Sequence, residues 1–579
     1  MKKLLTFALI LSLSLALSLS ACHSAPPKTT LTYLYNTSES HRAIGEYLQA
    51  LFAQVGVNLK LQNQEWQTFL DTKRQGDFGL ARNSWLADYD HPICFLDMWT
   101  STSGHNDAGL GQGQHASLTV YDLDLTPYGY DIHVQNGTWA QTYDQLIATI
   151  KTCQDKDTSY ALMHLAEDML MATGCVMPIY YYTDIYLLDP QVKGFYTNPM
   201  GYKYLMHTTR EDGKDSLALC LASQPQSLDP ALCATADGAT LISHLCAGLA
   251  KWQPNDRGEV VLVPDMAEAL SEGVSHPDGS VTYTYRIKEN AKWSNGDPVT
   301  SRDFAESWQR AASAEVGGSY GYLFDVIGRD SQGNLAVTTP DSATLTVTLT
   351  VPTPYWEQLL AMAVYFPVHS QNRGDLHGTW ATSPATYISN GGYTMTGWVQ
   401  DSLITLQKNP NYPDHDGVTM PTLQFYLSGD SNNMLTNFKN GDWQLIDDIP
   451  TGEIASVKAS YPHAYHQTGL IGTYYVTWNV NKSILPVGST LSGAEAYTAE
   501  TQIRQAVATL IDRDYVVEHI AMGGQVPATS FVAMGMTDAD GGQFYKNAGH
   551  GEGYTGYFDT SEEARARAKE VLEGYYGGA

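Results

Sequence analysis

The stretch Ala81-Arg82-Asn83-Ser84-Trp85-Leu86-Ala87-Asp88-Tyr89-Asp90-His91-Pro92 places a carboxylate, Asp88, three residues after a tryptophan and six after an arginine. It reads as a short apolar strand that breaks into a loop at Pro92. A carboxylate at the end of such a strand can take in a ligand's ammonium group and fix it by charge-assisted hydrogen bonds. The same pattern also fits a core carboxylate whose hydrogen bonds are all made inside the protein, so the stretch by itself leaves both readings open.

The residues around it carry a resemblance. Asn63-Gln64-Glu65-Trp66, Phe69-Leu70-Asp71-Thr72 and Ala81-Arg82 through Ala87-Asp88-Tyr89 resemble the second lobe of the oligopeptide-binding proteins of bacterial ABC importers, the extracellular solute-binding proteins of family 5. The resemblance implies that Asp88 holds a peptide's α-amino group and that Trp66 and Trp85 wall its pockets. It also implies that Lys73, Arg82 and His41 are placed to meet the C-terminal carboxylate. At 73 the family carries arginine, and lysine offers a point charge instead of a bidentate fork, so the preferred peptide length can differ. Val176-Met177-Pro178-Ile179-Tyr180-Tyr181-Tyr182 is similar to the family's return strand and brings Tyr182 to the pocket, although simple packing would account for any one tyrosine in such a run. Tyr320, Tyr322, Asn106 and Gln224 complete the ligand-binding candidates. Gln224 stands where some relatives have glutamate, and Asp447 and Asp448 are placed to make up for the missing charge.

These side chains need a scaffold, and 579 residues with 43% hydrophobic content suffice for two or more lobes with their own cores. A net charge of −28 argues against nucleic acid or anionic lipid as a partner, but says nothing of the field inside a cleft. Lys2-Lys3, the apolar run from Leu4 to Leu19 and Leu19-Ser20-Ala21-Cys22 resemble a lipoprotein signal; Cys22 is then the lipidation site, and two acyl chains hold a protein on a membrane. No later stretch reaches the length of a transmembrane helix, so the rest is expected outside the cytoplasmic membrane. The other six cysteines show no C-x-x-C pair and no histidine partners at zinc spacing. No metal and no cofactor is expected, and any disulfide pairing stays open.

From residue 29 strand and helix alternate. Leu31 to Tyr35 reads as a strand, Ile44, Leu48, Leu51, Phe52 and Val55 as one helix face, and Val57, Leu59 and Leu61 as a second strand. This βαβ-like unit points to a mostly parallel sheet with Asp88 at a strand's carboxyl end. Residues 104 to 139, with Gly109-Leu110-Gly111-Gln112-Gly113, read as a surface excursion, since no phosphate-loop register is present. Helices are expected at about 141 to 152 and 158 to 173, and His207 to Ser216 reads as a linker.

After that linker the resemblance resumes at what is usually the family's beginning. Gln226-Ser227-Leu228-Asp229-Pro230 is similar to its first pocket loop, and Asn290-Ala291-Lys292-Trp293-Ser294-Asn295-Gly296-Asp297-Pro298-Val299-Thr300 to its strongest signature. The Asn295-Gly296-Asp297-Pro298 part of that signature is turn chemistry that holds a scaffold. The order is thus that of a circular permutant whose break follows a helix from Ser561 to Leu572. Two other readings give the same residues: a fusion of halves from two proteins, and a swapped dimer.

The expectation is an α/β, two-lobed fold like that of type II periplasmic binding proteins, with an extra small domain and a permuted order. A signal peptide would occupy 1–22 and a tether 23–28. The second lobe would be 29–183 with 472–579, the first lobe 184–236 with 369–471, and the small domain 237–368. Such a protein captures oligopeptides for an ABC permease while anchored to the membrane through Cys22, and does no chemistry. Binding of another solute, such as a nickel chelate, haem or a glycan, and peptide sensing without transport are the alternatives. A hydrolase is disfavoured, since no Gly-x-Ser-x-Gly or His-Glu-x-x-His is present.

Overall fold

The computed structural model describes residues 29–221, 224–547, 550 and 553–577. The signal peptide, the 23–28 tether and Cys22 lie outside the described residues.

One mixed sheet of 11 strands runs through the molecule. Its main strands in chain order are β1 (Thr29–Asn36), β2 (Val57–Gln64), β3 (Leu80–Leu86), β4 (Val176–Leu188), β5 (Ser216–Cys220), β6 (Tyr393–Val399), β7 (Leu403–Lys408), β8 (Thr422–Tyr426), β9 (Leu445–Ile446) and β10 (Tyr465–Trp478). They lie side by side as β6-β7-β8-β5-β9-β4-β10-β3-β1-β2. The helices that matter here are α1 (Glu39–Ala53), α2 (Trp66–Arg74), α3 (Lys156–Ala172), α4 (Ser301–Ala311), α5 (Gly493–Leu510) and α6 (Glu562–Tyr576).

The first βαβ unit forms as its periodicity dictates. Helix α1 buries Ile44, Leu48, Leu51 and Phe52 on one face, and β1 pairs in parallel with β2 from Thr29↔Val57 to Asn36↔Gln64 and with β3 at Tyr33↔Leu80. Beyond β3 the expected mostly parallel order gives way. Strand β10 is antiparallel to both β3 and β4, because these long strands run out and back through the middle of the sheet. Their register breaks between Gly469 and Thr473 of β10.

The Gly109–Gly113 segment is packed in, not a surface excursion. Gly109 and Gly111 have φ of 73° and 71°, and a Cβ on Gly109 would lie 2.5 Å from Asn481 Nδ2. Asn481 in turn accepts the His115 backbone N–H at 3.0 Å. The short hairpin that follows sends Leu123 and Leu125 into the core. Glycine is needed here because the chain must turn left-handed and press against a distant segment at once.

A separate four-stranded antiparallel sheet is built around Val281–Arg286 and Thr344–Leu349. Helix α4, closed at its N-terminus by a Thr300/Asp303 capping box, packs beside it. The Trp293 run serves this unit: Trp293 is buried, Gly296 turns with φ of 93°, and Asn295 Oδ1 accepts the Asp297 N–H. Cys94, Cys153, Cys175, Cys233 and Cys246 carry free thiols. Among the described residues no helix is long and apolar enough to cross a membrane, and no group of three or more histidine, cysteine or acidic side chains could hold a metal ion.

Candidate functional site

The ends of β3 and β4, the N-terminus of α1, helix α2 and the Tyr320 segment enclose a cavity of about 1320 Å³. Arg82, Trp85 and Asp88 line it from β3 and its exit, His41 from α1, Trp66 and Lys73 from α2, Tyr182 from β4, and Tyr320 from the unit around the small sheet. Arg82 lies on β3 and Asp88 two residues beyond its end at Leu86, and both line the cavity.

Asp88 is 8% exposed. Tyr320 donates its hydroxyl to Oδ1 at 2.8 Å, while Oδ2 is buried without any hydrogen-bond partner. Burial raises the carboxyl to about 7, against the Tyr320 hydrogen bond, which favours the ionised form, and with a further push from Asp97. Of the two readings of the stretch, the unpartnered Oδ2 departs from a fully satisfied core carboxylate. Trp85 is held rigidly beside it by an Nε1–H bond to the Cys94 carbonyl at 2.9 Å.

Arg82 is buried to the same extent and has no carboxylate partner among the described residues. Its Nε donates to His41 Nε2 at 3.1 Å, and its guanidinium lies over the rings of Trp66, Phe69 and Tyr474 at 5.9, 5.9 and 5.6 Å. Burial and the Arg82 charge keep His41 neutral, well below the usual histidine range. Lys73 differs. Its Nζ donates to Asn83 Oδ1 at 2.8 Å and to Asp107 Oδ2 at 2.7 Å, so its charge is already neutralised inside the protein.

Three of the expected site residues stand outside the cavity wall. Gln224 holds a loop of the opposite side, accepting from Trp398 Nε1 and the Asp401 N–H and donating to Gln400. Asn106 spends its amide on the backbone, donating to the carbonyls of Thr100 and Leu110 and accepting the Leu110 N–H. Tyr322 points away, its ring under Lys151 at 5.4 Å.

The cavity also has residues that sequence reading missed. His105, next to Asn106, packs edge-on to Trp85 and against Tyr320, with ring centroids 4.8 and 4.6 Å apart, and burial lowers it to about 4. Its only sequence signal is adjacency to a residue already singled out. Lys203 pairs with Asp184 at 3.2 Å and Asp447 at 3.6 Å. Burial alone would lower Lys203, but the two carboxylates outweigh it and hold the amine charged above the usual lysine range. Asp447 is among the sequence candidates, but no spacing ties it to Lys203 and Asp184, which lie on segments far apart in the chain; β4 and β9 pair next to Asp184 and Asp447.

Such a cavity, with an open acceptor at one end, an open cation at the other and aromatic walls between, suits capture of an amphoteric solute; among the described residues nothing in it forms a nucleophile–base pair. Comparison with known proteins agrees. The family described as Bacterial extracellular solute-binding proteins, family 5 Middle, matches residues 10–107 and 261–574. The dipeptide-binding protein DppE of Bacillus subtilis is 27% identical over 375 residues, covering 63% of this chain and 62% of its own length. The oligopeptide-binding protein OppA of the same organism is 28% identical over 351 residues, covering 58% and 60%. This chain therefore spans about 60% of the length of the curated relatives it matches. The structure titled Listeria monocytogenes OppA bound to peptide shares the fold with a TM-score of 0.50 at 23% identity, over 63% of this chain and 69% of that one. With the family match extending over well more than half of its residues, the chain belongs to the family 5 bacterial extracellular solute-binding proteins.

Proposed function

We propose that the chain captures oligopeptides in the cavity and hands them to an ABC import permease without changing them chemically. The observation that carries this reading is the pair of unspent charges at the cavity, Asp88 with its unpartnered Oδ2 and Arg82 with no counter-ion among the described residues. The first takes a peptide's ammonium group and the second, beside His41, its carboxylate. Six residues separate them, at most about 20 Å of chain, which leaves room for a peptide of up to about five residues at a similar rise. Trp66, Trp85 and Tyr182 form the walls between, and bridging waters in so roomy a space would let many side chains through.

The curated relatives named for dipeptides and oligopeptides support the peptide reading. The lobe division at 183/184 and 471/472 is supported by the register break in β10, and the permuted order by the interleaving of strands from 29–188 and 216–478 in one sheet. The lipid anchor on Cys22 rests on the Leu19-Ser20-Ala21-Cys22 sequence. Calorimetric titration of the purified chain with penta-alanine, with light scattering on the same sample, tests all but the anchor. Saturable binding by a monomer is the expected result. A folded monomer indifferent to peptides would redirect the search to other solutes, and an obligate dimer would favour halves exchanged between molecules.

A further inference from the structure

We propose that the cavity holds a subsite for a cationic side chain of its ligand, the ammonium of a lysine or the guanidinium of an arginine, against Asp184, Asp447 and Asp448. The proposal rests on the peptide reading above and names the peptides that are preferred.

Six carboxylates of the cavity lining, Glu39, Asp184, Asp237, Asp430, Asp447 and Asp448, form one group whose charges act on one another. They come from distant parts of the chain: Glu39 opens α1, Asp184 lies on β4, and Asp447 and Asp448 follow β9 directly. Among the described residues Lys203 is the cation that pairs with any of them, at 3.2 Å from Asp184 and 3.6 Å from Asp447. One positive charge shared by two acids leaves the rest of the group uncompensated.

Asp447 shows the excess most directly. Its Oδ2 faces Lys203, while its Oδ1 has no hydrogen-bond partner. Burial raises it well above the usual carboxylate range; Lys203 opposes that, and Asp237, Asp184 and Asp448 add to it. Asp448, exposed on the cavity side, stands within range of the like charges of Glu39 and Asp430.

Arg82 repeats the pattern with the opposite sign. It is 8% exposed, lines the same cavity from β3, two strands across from Asp184 on β4, and pairs with none of these acids. Opposite charges that line one cavity without meeting are left for different groups of a ligand: a carboxylate for Arg82 and a cation for the acids. The cation is not a compact ion, since among the described residues no three of the acids could hold a metal. Charge spread along a wall suits a long, flexible stem whose head can settle between several carboxylates.

Calorimetric titration of the full chain with penta-alanine in which each residue in turn is replaced by lysine or by norleucine reads the subsite. Norleucine keeps most of lysine's aliphatic stem and lacks its charge. At one position lysine should bind about tenfold tighter than norleucine, the worth of one hydrogen bond to a charged group, and at the others less than about twofold. Asp448→Asn, which leaves the Lys203 pair whole, and Asp447→Asn should each cut the large ratio about threefold or more. Glu562→Gln, on the exposed start of α6, should leave it in place. A ratio near one at every position would overturn the proposal, as would an equal gain at all five or a gain that survives both aspartate substitutions, which would mean general attraction to an acidic protein. In each of those cases binding of penta-alanine itself would leave the peptide reading intact. Failure of the unaltered chain to bind any of the peptides would overturn both.

Discussion

Asp88 and Glu167 are both buried carboxyl groups that desolvation pushes up, to about 7 and about 8. They differ in what surrounds them. Glu167, on α3, accepts the backbone N–H groups of Phe531 and Val532 at 3.0 and 2.7 Å on one oxygen, and so pins a loop beyond α5 to the helix. Asp88 has one oxygen that nothing in the protein uses. Two buried cations repeat the contrast, since Lys73 is paired with Asp107 and Arg82, among the described residues, with no acid. A perturbed ionisation alone therefore does not mark a ligand site here.

The contrast can be broken by substitution. Glu167→Ala should cost about 3–5 kcal/mol in denaturant unfolding, because it leaves two N–H groups and a void behind, with the peptide affinity of the folded fraction unchanged. Asp88→Asn should do the reverse: stability within about 1 kcal/mol of the parent, and about 2 kcal/mol lost in calorimetric binding of free-amine peptides. Equal losses for free and N-acetylated peptides would remove Asp88 from the amine role. Arg82→Met should weaken peptides with a free C-terminus by about 1–2 kcal/mol and spare their amides, whereas Lys73→Met should lower stability without telling the two apart.

Ionisation separates the two carboxyls as well. Glu167 has a folded value of about 8 against an ordinary value near 4.5, so its contribution to stability is fully present below about 4.5 and is lost as pH rises through 8. Unfolding free energy should fall between pH 5 and 9, and Glu167→Gln should flatten that fall. Asp88 governs binding instead. It must shed a proton to meet an ammonium group, so affinity for penta-alanine should rise about tenfold per pH unit below 7 and level off above it. A profile flat from pH 5 to 8 would put the amine elsewhere.

What could be read in advance follows from distance along the chain. Arg82, Trp85 and Asp88 lie within seven residues along and just beyond one strand, so the sequence already brings them close together. The α/β class was legible for the same reason, since a βαβ unit is a local pattern. The antiparallel middle of the sheet was not, because β4 and β10 find each other only through tertiary pairing. Lys203 and Asp184, the partners of Asp447, escaped for that reason too. Asn106 and Gln224 misled because amides that organise loops look, in sequence, the same as amides that face a ligand. His105 shows the opposite error: it stands one residue from a candidate and has the exposure to the cavity that the candidate lacks.

The pairing of β3 with β10 carries a consequence for biogenesis. Leu80 meets Trp478, so the strand bearing the site gains its central neighbour only after almost 400 further residues exist. At roughly 5–20 residues per second that is a wait of about 20 to 80 seconds. During that interval the edge of β3 is an open template for wrong partners. A chain arranged in this way depends on its last third to close the centre of its sheet.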